Sequence, residues 1–156
     1  MQFCRLLNRP PTAVTQVDVI VYDSEAAVVM DYMATRKRFA AEEKTTKEIL
    51  VFHGTDDVAT CRIITDGFKI GGCDEGVTVK HGRTYGSGVY TATGPSAPMG
   101  YGGAGRVILA KALVGEQAPS GVTTVDKYDS CSPNNDWMIF KDGKQLLPLF
   151  VIHFNP

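Results

Sequence analysis

Apolar positions along this chain fall into short strand-length runs and stripes at helical spacing. Residues 17–22 (VDVIVY) are β-branched and bounded by turn formers, which predicts a strand. Ser24 then offers an N-cap with Glu25 in the first turn. Val28, Val29, Tyr32 and Phe39 recur near helical spacing, as an amphipathic helix lying on the core requires. Residues 48–53 (EILVFH) form a second strand ending in a histidine. Thr55 or Asp56 caps a following helix whose Val58, Cys61 and Ile64 line one face, and Gly67 stops it. Residues 71–88 are glycine-dense and aperiodic. Pro95 suits the first turn of a short helix running towards Tyr101. Residues 107–114 are apolar on both faces apart from Lys111, which predicts a central strand. Residues 116–135 read as a long surface connection. Two further strand patterns, 136–141 and 144–154, flank Asp142-Gly143, and an Asp-Gly pair in that setting predicts a hairpin whose turn residues both take positive φ. Pro148 lacks an N–H and belongs at a bulge or an edge of the last strand. The sum is an α+β chain, a mostly antiparallel sheet with two or three helices packed on it.

Composition narrows the picture. The 156 residues are one domain's worth of chain, so a single domain over 1–156 is expected. Hydrophobic residues at 44% and charged residues at 21% exclude a disordered or fibrous chain. Sixteen Lys and Arg against 17 Asp and Glu, a formal charge of −1, argue against general nucleic-acid or membrane-surface binding as the main task. Charge concentrates in residues 23–48, which hold 11 charged side chains. Six of them are acidic, so Arg36-Lys37-Arg38 reads as part of a solvated helix face. The most apolar stretch, 146–154, contains Pro148 and His153 and is too short to span a bilayer. Residues 1–13 carry no apolar run followed by a small-residue cleavage site, so no signal peptide is expected. Cys4, Cys61, Cys73 and Cys131 are scattered without a CxxC pair, and His53, His81 and His153 show no metal-ligand spacing with them. Four free thiols, no metal, no membrane association and an intracellular location, cytoplasmic or nuclear, are the expectation.

Four features stand apart in sequence yet can meet at strand ends: His53-Gly54-Thr55, the stretch from Tyr85 to Tyr90, Tyr101, and Asn134-Asn135-Asp136-Trp137. Each alone is weak. A histidine at a strand end is more often structural than catalytic, and the glycines near Tyr90 lack the strand-then-helix setting of a dinucleotide fingerprint. Their joint order and spacing are specific. LVFHGT at 50–55, Gly86-Ser87-Gly88-Val89-Tyr90 with Tyr101 eleven residues on, and Asp136-Trp137-Met138-Ile139-Phe140 resemble the three motifs of the poly(ADP-ribose) polymerase-like, diphtheria-toxin-type ADP-ribosyltransferases. DGFKI, GRVILAKALVGE and DGKQLLPLFVIHF fit the same resemblance, which is strongest over 48–154 and loose in the N-terminal third.

The resemblance implies a split β-sheet ADP-ribosyltransferase fold and NAD⁺ as co-substrate. It implies that His53 bonds the adenosine-side ribose with Thr55 beside it, and that Lys69 approaches the adenine or phosphates. It also makes His53, Tyr90 and Asp136 the catalytic set. The chemistry agrees. The nicotinamide ring of NAD⁺ is a flat cation, for which the faces of Tyr90 and Tyr101 are a natural sandwich. Gly54 lets backbone approach the carboxamide where a Cβ would intrude. A carboxylate on the nicotinamide ribose 2′-OH would stabilise an oxocarbenium-like transition state, and Asp136 is the candidate. Two positions depart from the family pattern. Chain-building members have Glu where Asp136 stands, and many that add one unit have an apolar residue there. The serine that supports the carboxamide is replaced by Pro98, with Ser96 the nearest substitute.

The expected activity is mono-ADP-ribosyl transfer from NAD⁺ to a macromolecular acceptor, protein rather than nucleic acid. Two alternatives stay open: an NAD⁺ glycohydrolase, and a catalytically weak pseudoenzyme that binds NAD⁺ or ADP-ribose.

Overall fold

The computed structural model describes residues 13–71, 73, 84–100 and 105–155. Among the described residues seven strands form one sheet: β1 (Val14–Val19), β2 (Glu48–His53), β3 (Val89–Ala92), β4 (Arg106–Leu113), β5 (Ser130–Cys131), β6 (Trp137–Phe140) and β7 (Leu146–Phe154). Their order is β1-β7-β4-β2-β3-β6-β5, and every named pair is antiparallel. Helices α1 (Ala27–Ala41) and α2 (Asp57–Asp66) and the single turn α3 (Ser96–Met99) complete the α+β architecture. The register between β2 and β3 consists of one pair, Phe52↔Ala92. By contrast β2 and β4 pair along the whole of β2. The sheet is therefore joined tightly on both sides of a narrow seam, which is the expected split.

Alternate residues of β4 point to opposite faces and serve different clusters, as a strand covered on both faces must. Ile108, Ala110 and Ala112 pack with Ile63 of α2, Val51, Phe68 and Phe140. Leu113 instead meets Val28, Tyr32 and Phe39 of α1, and Val107 meets Phe52, Ile152 and Phe154. Helix α1 buries Val28, Tyr32, Thr35 and Phe39, one stripe at helical spacing. Arg36, Lys37 and Arg38 lie on its exposed side. Pro148 sits opposite Ala110 where the β4–β7 register shifts, so the missing N–H is accommodated at a bulge.

Four local expectations need correction. Ser24 does not cap α1: the amide of Ala26 donates to Asp23 O at 2.9 Å, closing a turn that contains Ser24, and Ala26 takes the cap position with no side-chain bond. On α2 the buried residues are Thr60 and Ile63, while Val58 is 64% exposed and Cys61 exposed. Thr60 can be buried because its hydroxyl donates to Asp56 O at 2.8 Å, so hydropathy alone misplaced the face. Asp56 caps the helix by accepting from the Ala59 amide at 2.8 Å, and Gly67 ends it at φ +81°.

The third correction is the hairpin. β6 pairs with β3 and β5, and β7 with β1 and β4, so the two strands flanking Asp142-Gly143 are not neighbours. Residues Gly143–Gln145 form a 3₁₀ turn, and Asp142 has φ −131°. Gly143 is needed for a close approach instead: a Cβ there would lie 2.0 Å from Phe68 O. Gln145, 1% exposed, donates to Leu113 O and Asp129 O at 3.0 Å each and accepts from the Asp142 amide at 3.0 Å. That side chain locks the crossing from one half of the sheet to the other. Fourth, residues 116–135 are more than a surface connection. Ala118, Val125 and Cys131 are buried with Ile139 and pack against Tyr85, Tyr90, Val122 and Tyr128.

Candidate active site

The three strands β2, β3 and β6 lie side by side, and each carries or adjoins one residue of the expected catalytic set. His53 ends β2, Tyr90 lies in β3, and Asp136 immediately precedes β6. His53 and Tyr90 are in direct contact: Nδ1 is 2.8 Å from the Tyr90 carbonyl oxygen. A carbonyl can only accept, so the imidazole proton sits on Nδ1, and Nε2 of the neutral ring carries a free lone pair. The ring keeps part of its surface in solvent. Burial of the remainder nonetheless pushes its pKa below the ordinary histidine value, and the bond to Tyr90 opposes that only partly. Phe68 meets the imidazole edge to face, with centroids 5.2 Å apart. The site thus holds a neutral hydrogen-bond acceptor oriented by backbone and an aromatic ring.

The Tyr90 hydroxyl is turned back on its own loop. It donates to Gly86 O at 2.8 Å and accepts from the Tyr85 amide at 3.0 Å. Gly86 has φ +88°, which a side chain would oppose. The Tyr90 ring lies between Tyr85, centroids 6.4 Å apart and tilted by 30°, and Trp137, 6.4 Å away and edge-on. Tyr101, the expected opposite wall, lies outside the described residues.

Gly54 follows β2 and has a structural reason for lacking a Cβ. That atom would fall 1.8 Å from Pro98 O, inside the backbone of α3. The close approach proposed for the carboxamide is therefore made, at this face of Gly54, by the chain itself. Pro98 is buried and Ser96, at the start of α3, is exposed. Thr55 is half-buried just before the Asp56 cap, and Lys69 is exposed next to Phe68. Asp136 is exposed, and its carbonyl accepts from the Thr93 amide at 2.9 Å, which fixes it beside the end of β3. Among the described residues no group of three or more His, Cys, Asp or Glu is placed to hold a metal ion.

A family model of the poly(ADP-ribose) polymerase catalytic domain matches residues 16–148. The chain belongs to this family. A comparison with curated proteins gives no match.

The match to the poly(ADP-ribose) polymerase family begins within β1 and includes α1, so the N-terminal third takes part more fully than its sequence suggested. Membership of this ADP-ribosyltransferase family brings NAD⁺ as the substrate. Sequence reasoning assigned no role to four residues of the site, although Tyr85, Asn134 and Trp137 lay within the stretches it singled out. Phe68, inside DGFKI, touches His53; Tyr85 and Trp137 flank Tyr90; and Asn134 shapes the turn ahead of Asp136. Only Asn134 carried a local signal, since asparagine readily bonds backbone two residues on.

Proposed function

We propose that this domain is a mono-ADP-ribosyltransferase acting on a protein acceptor. The bond between the nicotinamide nitrogen and ribose C1′ of NAD⁺ breaks, and its electron pair leaves with neutral nicotinamide. A nucleophile of the acceptor forms the new bond to C1′ and gives its proton to solvent or a nearby base. In this reading the Asp136 carboxylate bonds the ribose 2′-OH, and that bond strengthens as oxocarbenium charge develops. His53 accepts a ribose hydroxyl at Nε2, with Thr55 and Lys69 nearby, while Gly54 and Ser96 border the carboxamide. The rings of Tyr90 and Tyr101 enclose the nicotinamide.

The observation that supports single-unit transfer is the anchoring of Asp136. Its main chain is held against β3 by the 2.9 Å Thr93 bond, so the length of the side chain decides how far the carboxylate reaches. One methylene less than Glu withdraws it by about an ångström, enough to compromise a hydrogen bond whose useful range is ~2.5–3.0 Å. Elongation needs that carboxylate both to orient the donor and to activate an incoming ribose hydroxyl. The near-zero formal charge of −1 favours a protein over a nucleic-acid acceptor. Unpaired, exposed Cys61 and Cys73 suit a reducing intracellular setting.

Incubation with labelled NAD⁺, followed by gel and mass analysis, tests the proposal. Single ADP-ribose units on protein are expected, and long polymers would refute it. Free ADP-ribose alone would make the domain a glycohydrolase, and donor binding without turnover a pseudoenzyme. Asp136→Ala should lower kcat by about 10²–10³ with little change in KM, the range for removing one group that stabilises transition-state charge.

A further inference from the structure

We infer that Asn134 is a positioning residue for Asp136, a role that rests on reading Asp136 as the carboxylate that meets the donor ribose. Asn134 Oδ1 accepts two amides, those of Asp136 and Trp137, each at 2.9 Å. The Asn134 carbonyl accepts in turn from Ser132 Oγ at 2.6 Å, and the same hydroxyl lies 3.1 Å from Trp137 O. From the other side the Thr93 amide bonds Asp136 O at 2.9 Å, and Thr93 Oγ1 lies 3.4 Å from Asn135 O. Both backbone groups of Asp136 are thereby held, its N–H by Asn134 and its C=O by Thr93.

This bracing matters because Asn134, Asn135 and Asp136 are all exposed. Without it their backbone has no packing to hold a single conformation, and the carboxylate would swing with its Cα. A misplacement of about 1 Å at a reacting centre costs on the order of 10²-fold in rate. Asn134 therefore acts on the reaction through the place it gives Asp136, with no contact to substrate required.

Four proteins test this: the full chain as wild type, Asn134→Ala, Asn134→Asp and Asp136→Ala. Alanine removes the acceptor, whereas aspartate keeps it in the same place. Asn134→Ala should lower kcat at least about tenfold with KM for NAD⁺ and Tm close to wild type. In the same variant, hydrogen exchange at the Asp136 and Trp137 amides should accelerate. Asn134→Asp should restore slow exchange and most of kcat. Faster exchange with unchanged kcat would overturn the positioning role, as would a fall in kcat matched by losses in KM and Tm, or no recovery in Asn134→Asp. Full turnover in Asp136→Ala would instead sink the reading of Asp136 on which the role rests.

Discussion

Replacing Gly54 by alanine separates two explanations for a glycine at the end of β2. Read from sequence, Gly54 makes room for a ligand. Read from the fold, it makes room for α3, because an added Cβ would stand 1.8 Å from Pro98 O, 2.6 Å from its carbonyl carbon and 3.0 Å from its Cα. Contacts below 3.0 Å are essentially never made by real Cβ atoms. All three opposing atoms are backbone, so no rotamer change relieves the overlap, and β2 must move from α3 by more than an ångström. Overpacking of a well-packed site costs typically about 1–3 kcal/mol, and backbone displacement places this case at the upper end. For a chain of this size ~3 kcal/mol lowers Tm by roughly 6–12 °C. Urea denaturation and thermal melts of wild type and Gly54→Ala measure the loss, and calorimetric titration with nicotinamide measures the effect on the site. The fold-based account requires that stability fall even with no ligand present. Wild-type stability in Gly54→Ala, whatever happened to nicotinamide binding, would refute it and return the glycine to the ligand.

Three further outcomes are expected. Burial holds the folded-state pKa of His53 below its unfolded value, so the unfolded chain binds the proton first. Stability should therefore fall as pH drops below the ordinary histidine pKa of about 6.5, and His53→Asn should flatten that slope in urea titrations between roughly pH 7.5 and 5. Tyr90→Phe keeps the ring but leaves the Gly86 carbonyl and Tyr85 amide without their 2.8 and 3.0 Å partners. A loss of about 1 kcal/mol and faster proteolysis near Tyr85 should follow, and unchanged cleavage would show that the hydroxyl does not hold the loop. Gln145→Leu strips three backbone groups of their partner in a buried position, which should cost about 3 kcal/mol in denaturant titrations. Its side-chain bonds run to Asp142, Leu113 and Asp129, so a folded Gln145→Leu protein should keep its affinity for nicotinamide.

Much of this domain was decided by chemistry within a few residues. Strand β2 ends at His53, Asp56 caps α2, Gly67 stops it and Pro148 falls at a bulge, because capping bonds, positive φ and a missing N–H act on the immediate backbone. The motif residues were legible in the same way, since their order survives in sequence whatever the fold does with them. What the tertiary structure decided was each matter settled by chain remote in sequence. Gly54 answers to Pro98 and Gly143 to Phe68, contacts that no neighbouring residue announces. An Asp-Gly pair makes a tight hairpin only if its flanking strands pair, and here Phe140 and Leu146 belong to opposite halves of the sheet. The buried face of α2 was set by the remote strand residues that Ile63 packs on, Val51, Ile108 and Phe140, with Thr60 able to follow it inside because its hydroxyl bonds Asp56 O within the helix. The meeting of His53 with Tyr90 across the seam came from strand order, which pairing over long separations sets and local propensity does not.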